Sequence, residues 1–158
     1  QALAKAFGVD AGDAIVAVFG APRPSPAREY DAVACAIEMQ RRMPALNTAN
    51  QARGWPALAM GIGLNGGEVV LGNIGSERKA KYDVIGSNVN LASRIQSCAK
   101  GGQVLASGAI VSRLGNAVKV RDSFHQALKG IDQEVEIFEI VALDRQCLPE
   151  ADGQGGQA

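Results

Sequence analysis

The sequence predicts an α+β domain: a ferredoxin-like antiparallel sheet with helices packed on one face, and a small C-terminal α/β addition. Three observations predict it. Short apolar runs closed by glycine, such as the run at 14–19 ahead of Gly20, have the length and content of strands. Two longer segments, 28–43 and the one that follows Gly86, repeat apolar residues at helical intervals. These patterns succeed one another as β, α, β, β, α, β and then a shorter α/β set, which is the order of a split βαβ sandwich and not of a doubly wound sheet.

Each element follows from local chemistry. Residues 1–8 read as the tail of a helix, stopped by Gly8. A turn then leads into a largely buried strand at 14–19. Pro22, Pro24 and Pro26 make 21–27 a loop. In the next segment Ala32, Val33, Ala36 and Ile37 fall on one face of an amphipathic helix that runs toward Asn50 despite Pro44. Residues 58–65 and 68–74 read as a strand pair joined through Gly66 and Gly67. A charged turn at 75–81 precedes a strand, the Gly86 break and a second helix, which the glycines at 101–102 should end. A strand at 103–106, a short helix at 108–114, strands near 118–120 and 124–128, and an alternating strand at 134–141 complete the domain. The domain is expected to span 1–143, with 144–158 a flexible tail rich in glycine and glutamine.

The stretch KYDVIGSNVNLASR at 81–94 stands out chemically. Asn90 and Arg94 are four apart, so they project side by side from the helix. Leu91, Ile95 and Cys98 form a neighbouring apolar stripe able to anchor that helix to a sheet. An amide and a guanidinium beside the carboxylate of Asp83 suit a polar, anionic ligand.

Composition narrows the classes. In 158 residues, sixteen basic and sixteen acidic side chains leave no net charge, and aromatics make up 4%. Both argue against an RNA-binding module, which needs a basic excess and interleaved aromatics. No run of about 18 apolar residues is present to span a membrane. Cys35, Cys98 and Cys147 are widely spaced and form no CxxC pair, which fits a reducing compartment better than a disulfide framework or a zinc site. The lone His125 has no partner suggesting catalysis.

Four motifs carry a family resemblance: GDAIVAVFGAP at 12–22, GIGLNGGEVVLGNIG at 61–75, YDVIG at 82–86 and VNLASR at 89–94. Together, from about 12 to 141, the chain resembles the class III adenylate/guanylate cyclases. The resemblance implies that ATP becomes 3′,5′-cyclic AMP and pyrophosphate, with Mg²⁺ or Mn²⁺ as cofactor. It implies roles for five residues. Asp13 would bind metal, as suits a hard carboxylate oxygen. Asp83 would read the purine, accepting from the adenine amino group. Asn90 and Arg94 would stabilise the transition state, and Lys129 would bind the triphosphate. It further implies a homodimer with sites at the subunit interface, and a cytoplasmic location, the regulatory domains and any membrane attachment lying elsewhere in a parent protein.

Two departures accompany the resemblance. Val9 stands where the family has an adenine-reading lysine, four residues before Asp13. The family's first metal aspartate belongs to a strand that would precede Gln1, so the chain reads as the domain without its N-terminal part. Asp10 is close to Asp13 but on the wrong segment to replace it. The alternative is therefore a non-catalytic cyclase-homology module that binds nucleotide or a partner cyclase chain.

Overall fold

A computed structural model describes residues 2–8, 14–74, 81–131 and 133–144, with the backbone alone at 2–8, 14, 71, 73–74 and 81–84. The α+β class holds. The main sheet contains six strands: β1 (Ala2–Gly8), β2 (Ala14–Phe19), β3 (Met60–Gly66), β6 (Val104–Ser107), β7 (Val118–Gln126) and β8 (Val135–Leu143), in the spatial order β2-β1-β3-β6-β8-β7. Every pairing is antiparallel except β3 with β6, which run parallel in register Ile62 to Val104. Two further strands, β4 (Val70–Ile74) and β5 (Lys81–Ile85), form a separate antiparallel ribbon. The helices are α1 (Arg28–Ala52), α2 (Ser87–Cys98) and α3 (Gly108–Leu114), the last followed by a single 3₁₀ turn.

The helices divide between the two faces of the sheet instead of sharing one. Strand alternation shows this directly. Ile62 and Leu64 of β3, with Val104 and Ala106 of β6, pack against Ala32, Val33 and Ala36 of α1 and Ile110 of α3. Leu105 points the other way and joins Ile95 of α2, Leu128 and Ile137 in a second cluster. Strands β3 and β6 are central, so both of their faces need covering, and a helix on each side does it.

Four local expectations change with the tertiary pairing. The segment expected as a helix tail is β1, laddered from Ala2–Phe19 to Phe7–Ala14 on one side and from Ala2–Gly66 to Gly8–Met60 on the other. Alanine is a good helix former, but propensity is a weak local preference, and two complete ladders outweigh it. The strand at 14–19 is less buried than expected, Ile15 and Val16 being 58% and 43% exposed at the edge of the sheet. The expected hairpin through Gly66 and Gly67 does not form: β3 pairs with β1 and β6, and β4 turns to β5. The C-terminal α/β portion is no appendage, because β8 and β7 extend the main sheet beyond β6. There the two strands expected at 118–128 are one, with register shifts between Lys119 and Val120 and between Val120 and Asp122 absorbing the irregularity.

Candidate active site

Strand β3 has a different chemistry on each face. Toward α1 it presents isoleucine and leucine; toward α2 it presents Gly61, Gly63 and Asn65. The two glycines let the helix lie directly on the strand. A Cβ on Gly63 would come within 2.7 Å of the Ala92 carbonyl oxygen, and one on Gly61 within 2.8 Å of the Ala99 carbonyl oxygen. Ile95, completely buried, pins the same helix to the sheet, with Leu91 and Cys98 flanking it as the sequence stripe predicts. Burying one such side chain contributes about 2 kcal/mol. Burial also raises the Cys98 thiol above its ordinary range, leaving it a neutral packing group.

Helix α2 starts at Gly86, whose φ of 151° suits glycine, and the Gly86 carbonyl accepts from the amides of Val89 and Asn90 at 3.1 and 3.4 Å. Asn88 holds this first turn to its neighbours. The Asn65 Nδ2 donates to the Asn88 backbone oxygen at 3.1 Å and to its Oδ1 at 3.2 Å. The Asn88 Nδ2 donates in turn to the Glu68 carbonyl at 2.9 Å.

Asn90 and Arg94 stand together in a cleft of about 220 Å³, walled by Ser87, Asn88, Leu91, Gly130 and Ile131. Asn90 is exposed and Arg94 half-buried. The Arg94 guanidinium lies against Gly130, where a Cβ would be 3.4 Å from Nη2. Gly130 has φ 72°, and its turn is closed by the Ile131 amide donating to the Leu128 carbonyl at 3.0 Å. Leu128 is buried in the Ile95 cluster, so α2 and this turn share one apolar anchor. Lys129 is exposed on the turn itself and does not wall the cleft. His125 is exposed on β7 and does not wall it either.

Of the five sequence-predicted residues, the structure thus gathers Asn90, Arg94 and the turn that carries Lys129. Asp83 is placed by its backbone only, in β5 opposite Gly72, three residues before the Gly86 break. Asp13, like Val9, Asp10, Cys147 and all but the first residue of the tail expected at 144–158, lies outside the described residues. Among the described residues no three His, Cys, Asp or Glu side chains cluster to hold a metal ion. Asn65 and Asn88 were not anticipated as part of the site. The signal for Asn65 is the alternation at 61, 63 and 65 of two glycines and an amide on one strand face, whereas Asn88 has no distinguishing spacing of its own.

A second cleft, about 710 Å³, adjoins the first at the base of the ribbon and is walled by Glu68, Val69, Val70, Ile85, Gly86, Ser87 and Asn88. Val70 and Ile85, paired across the ribbon, are 70% and 53% exposed.

The chain belongs to the adenylate and guanylate cyclase catalytic domain family, whose model matches residues 9–142. It is a class III nucleotide cyclase domain. It is 33% identical over 136 residues to adenylate cyclase 1 of Rhizobium meliloti, covering 85% of this chain and 20% of that protein. Against a Mycobacterium tuberculosis protein of uncharacterised function, Rv1318c, it is 35% identical over 138 residues, covering 85% of this chain and 24% of the relative. The chain therefore spans about a quarter or less of these curated relatives' lengths. Among solved structures, the guanylyl cyclase Cya2 superposes with a TM-score of 0.81 at 39% identity, covering 86% of this chain and 69% of that one. The adenylyl cyclase CyaB from P. aeruginosa gives 0.79 at 32%, covering 86% and 71%. Among the described residues no helix is long and apolar enough to cross a membrane.

Proposed function

We propose that this domain converts ATP to 3′,5′-cyclic AMP and pyrophosphate, as part of a signalling protein acting in the cytoplasm. The observation that carries the reading is the cleft in which Asn90 and the Arg94 guanidinium face the Lys129–Gly130 turn. The ribose 3′-oxygen attacks the α-phosphorus, the bond to the bridging oxygen breaks, and the 3′-hydroxyl proton passes to solvent water. Negative charge moves onto the departing pyrophosphate. Arg94 presents a rigid, permanently charged fork to that charge, Asn90 orients the ribose side, and Lys129 offers a flexible point charge to the β- and γ-phosphates. Asp83 selects adenine: a carboxylate accepts from its amino group and repels the guanine carbonyl. The name of the Rhizobium relative supports the same base choice.

Mg²⁺ or Mn²⁺ would acidify the 3′-hydroxyl and neutralise the triphosphate. By the family resemblance of its motif, Asp13, a hard oxygen donor, is the residue of this chain proposed to hold the ion. We assign the active form to a homodimer with the site between subunits. Exposed Val70 and Ile85, paired beside the cleft, offer an apolar surface to that second subunit.

Turnover of Mn²⁺-ATP and Mn²⁺-GTP by the full-length protein, with Asp13→Ala and Arg94→Ala alongside, tests the reading. Either substitution should cut cyclic AMP formation by ~100-fold or more. No cyclic nucleotide from the intact protein with either substrate would overturn the enzyme and leave a nucleotide-binding homology module. Full turnover by both variants would overturn the site assignment, and a preference for GTP would overturn the role of Asp83.

A further inference from the structure

We infer that Asn65 and Asn88 are positioning residues of this site: their paired carboxamides fix the first turn of α2, and with it the bearing of Asn90 and Arg94. The inference rests on the cyclase reading and deepens it. Asn65 is 2% exposed, on a strand face otherwise made of glycine. A carboxamide in such a place is costly unless bonded, and an apolar side chain would satisfy packing alone. What the amide adds is direction. Its two bonds end on the backbone and side-chain oxygens of the same residue, Asn88. That residue lies two positions before Asn90 and six before Arg94.

Asn88 uses both ends of its own amide. Its oxygen accepts from β3, and its nitrogen donates to Glu68, on the segment that leads into the β4–β5 ribbon. It also walls both clefts, the one around Arg94 and the one at the base of the ribbon. One side chain thus joins the strand, the helix assigned to phosphate charge and the ribbon assigned to the base. Gly67 is shaped to this arrangement: a Cβ there would fall 2.4 Å from the Asn88 Nδ2 and 2.5 Å from its Oδ1. Freed from these bonds, the first turn would drift. A misplacement of about 1 Å at reacting groups can cost ~100-fold in rate.

The experiment uses the full-length protein with Mn²⁺-ATP and the variants Asn88→Ala, Asn65→Leu and Asn88→Asp. Asn47→Ala is the stability control, because that carboxamide makes two 2.8 Å bonds to the Leu58 backbone outside the site. Asn88→Ala and Asn65→Leu should lower kcat by ~10- to 100-fold while KM moves less than about threefold. Asn88→Asp, which keeps an acceptor for Asn65, should retain more activity than Asn88→Ala. Hydrogen exchange should accelerate at the amides of Val89 and Asn90 and stay unchanged at the far end of α2. Rate losses no larger than those of Asn47→Ala at matched stability, or unaltered exchange in the first turn, would overturn the inference. If the parent protein forms no cyclic nucleotide, the cyclase reading fails, and the exchange data alone decide whether the pair fixes the helix.

Discussion

A Cβ built on Gly63 would lie 2.4 Å from the backbone nitrogen of Gln96. The two residues belong to β3 and α2, and the absent methyl is what allows helix and strand backbones to touch. Along the same line Asn65 meets Asn88, and Gly61 meets Ala99, so one strand face is matched to one helix face over the full length of α2. The face beside it carries Asn90 and Arg94 into the cleft. Because the clashing atoms are backbone, no rotamer change relieves them.

Gly63→Ala should therefore damage both the fold and the site. Lifting α2 off the sheet is overpacking of a core, which costs about 1–3 kcal/mol. Urea denaturation should show that loss, and cyclic nucleotide formation should fall beyond what the residual folded fraction explains. Gly72→Ala is the comparison, since a Cβ there meets nothing within 4 Å among the described residues. Its stability should stay within about 0.5 kcal/mol of the parent. Equal effects from the two substitutions would contradict the close approach.

Gly130→Ala should act on Arg94 more than on stability. At φ 72° an alanine costs about 1 kcal/mol, and its methyl would sit 3.4 Å from the Arg94 Nη2. That is the tight end of van der Waals contact, so the methyl crowds the guanidinium that is assigned to meet the phosphates. The expected outcome is a fall of about tenfold in kcat/KM with a stability loss near 1 kcal/mol. Arg94→Lys should fare worse than Gly130→Ala, because a lysine has no planar fork to follow charge between oxygens. Steady-state kinetics on the two variants check both statements.

What the sequence disclosed was mostly local. Asn90 with Arg94, and the stripe of Leu91, Ile95 and Cys98, follow from helical spacing alone, and the structure places both sets as that spacing requires. Strand partners are set by residues far apart in the chain, and there local chemistry misled. Gly66 and Gly67 carry the composition of a hairpin, yet the first ends β3 and the second makes room for Asn88. The alanines at 2, 4 and 6 favour a helix until β2 and β3 are available on either side. Asn65 looked like the polar end of a strand; its role emerges only once α2 covers that face. The roles of Asp13 and Asp83 come from family resemblance, since a turn aspartate and a strand aspartate have no distinguishing spacing of their own.

Away from the cleft, Glu29 ties the start of α1 to α3, and this sets an acid limit to stability. Its side chain is 7% exposed and receives the guanidinium of Arg113 as well as Arg28 Nε at 3.0 Å. Burial pushes its carboxyl up, but a bond from its own backbone amide and the two arginines outweigh that, and the folded value lies below the ordinary one. The sign follows from linkage. The folded state binds the proton less tightly than the unfolded state, so the contribution is complete above the ordinary carboxylate value of about 4.3 and is lost as pH falls toward the lowered folded value. Glu29→Gln removes the charge and keeps the shape. It should cost about 2 kcal/mol at pH 7, as expected for hydrogen bonds to a charged group. The gap between parent and variant should narrow as pH drops below about 4.3, because protonated Glu29 then resembles the amide. Thermal denaturation of both proteins from neutral pH downward measures that gap, and a constant difference would show that the carboxylate charge is not what holds α1 to α3.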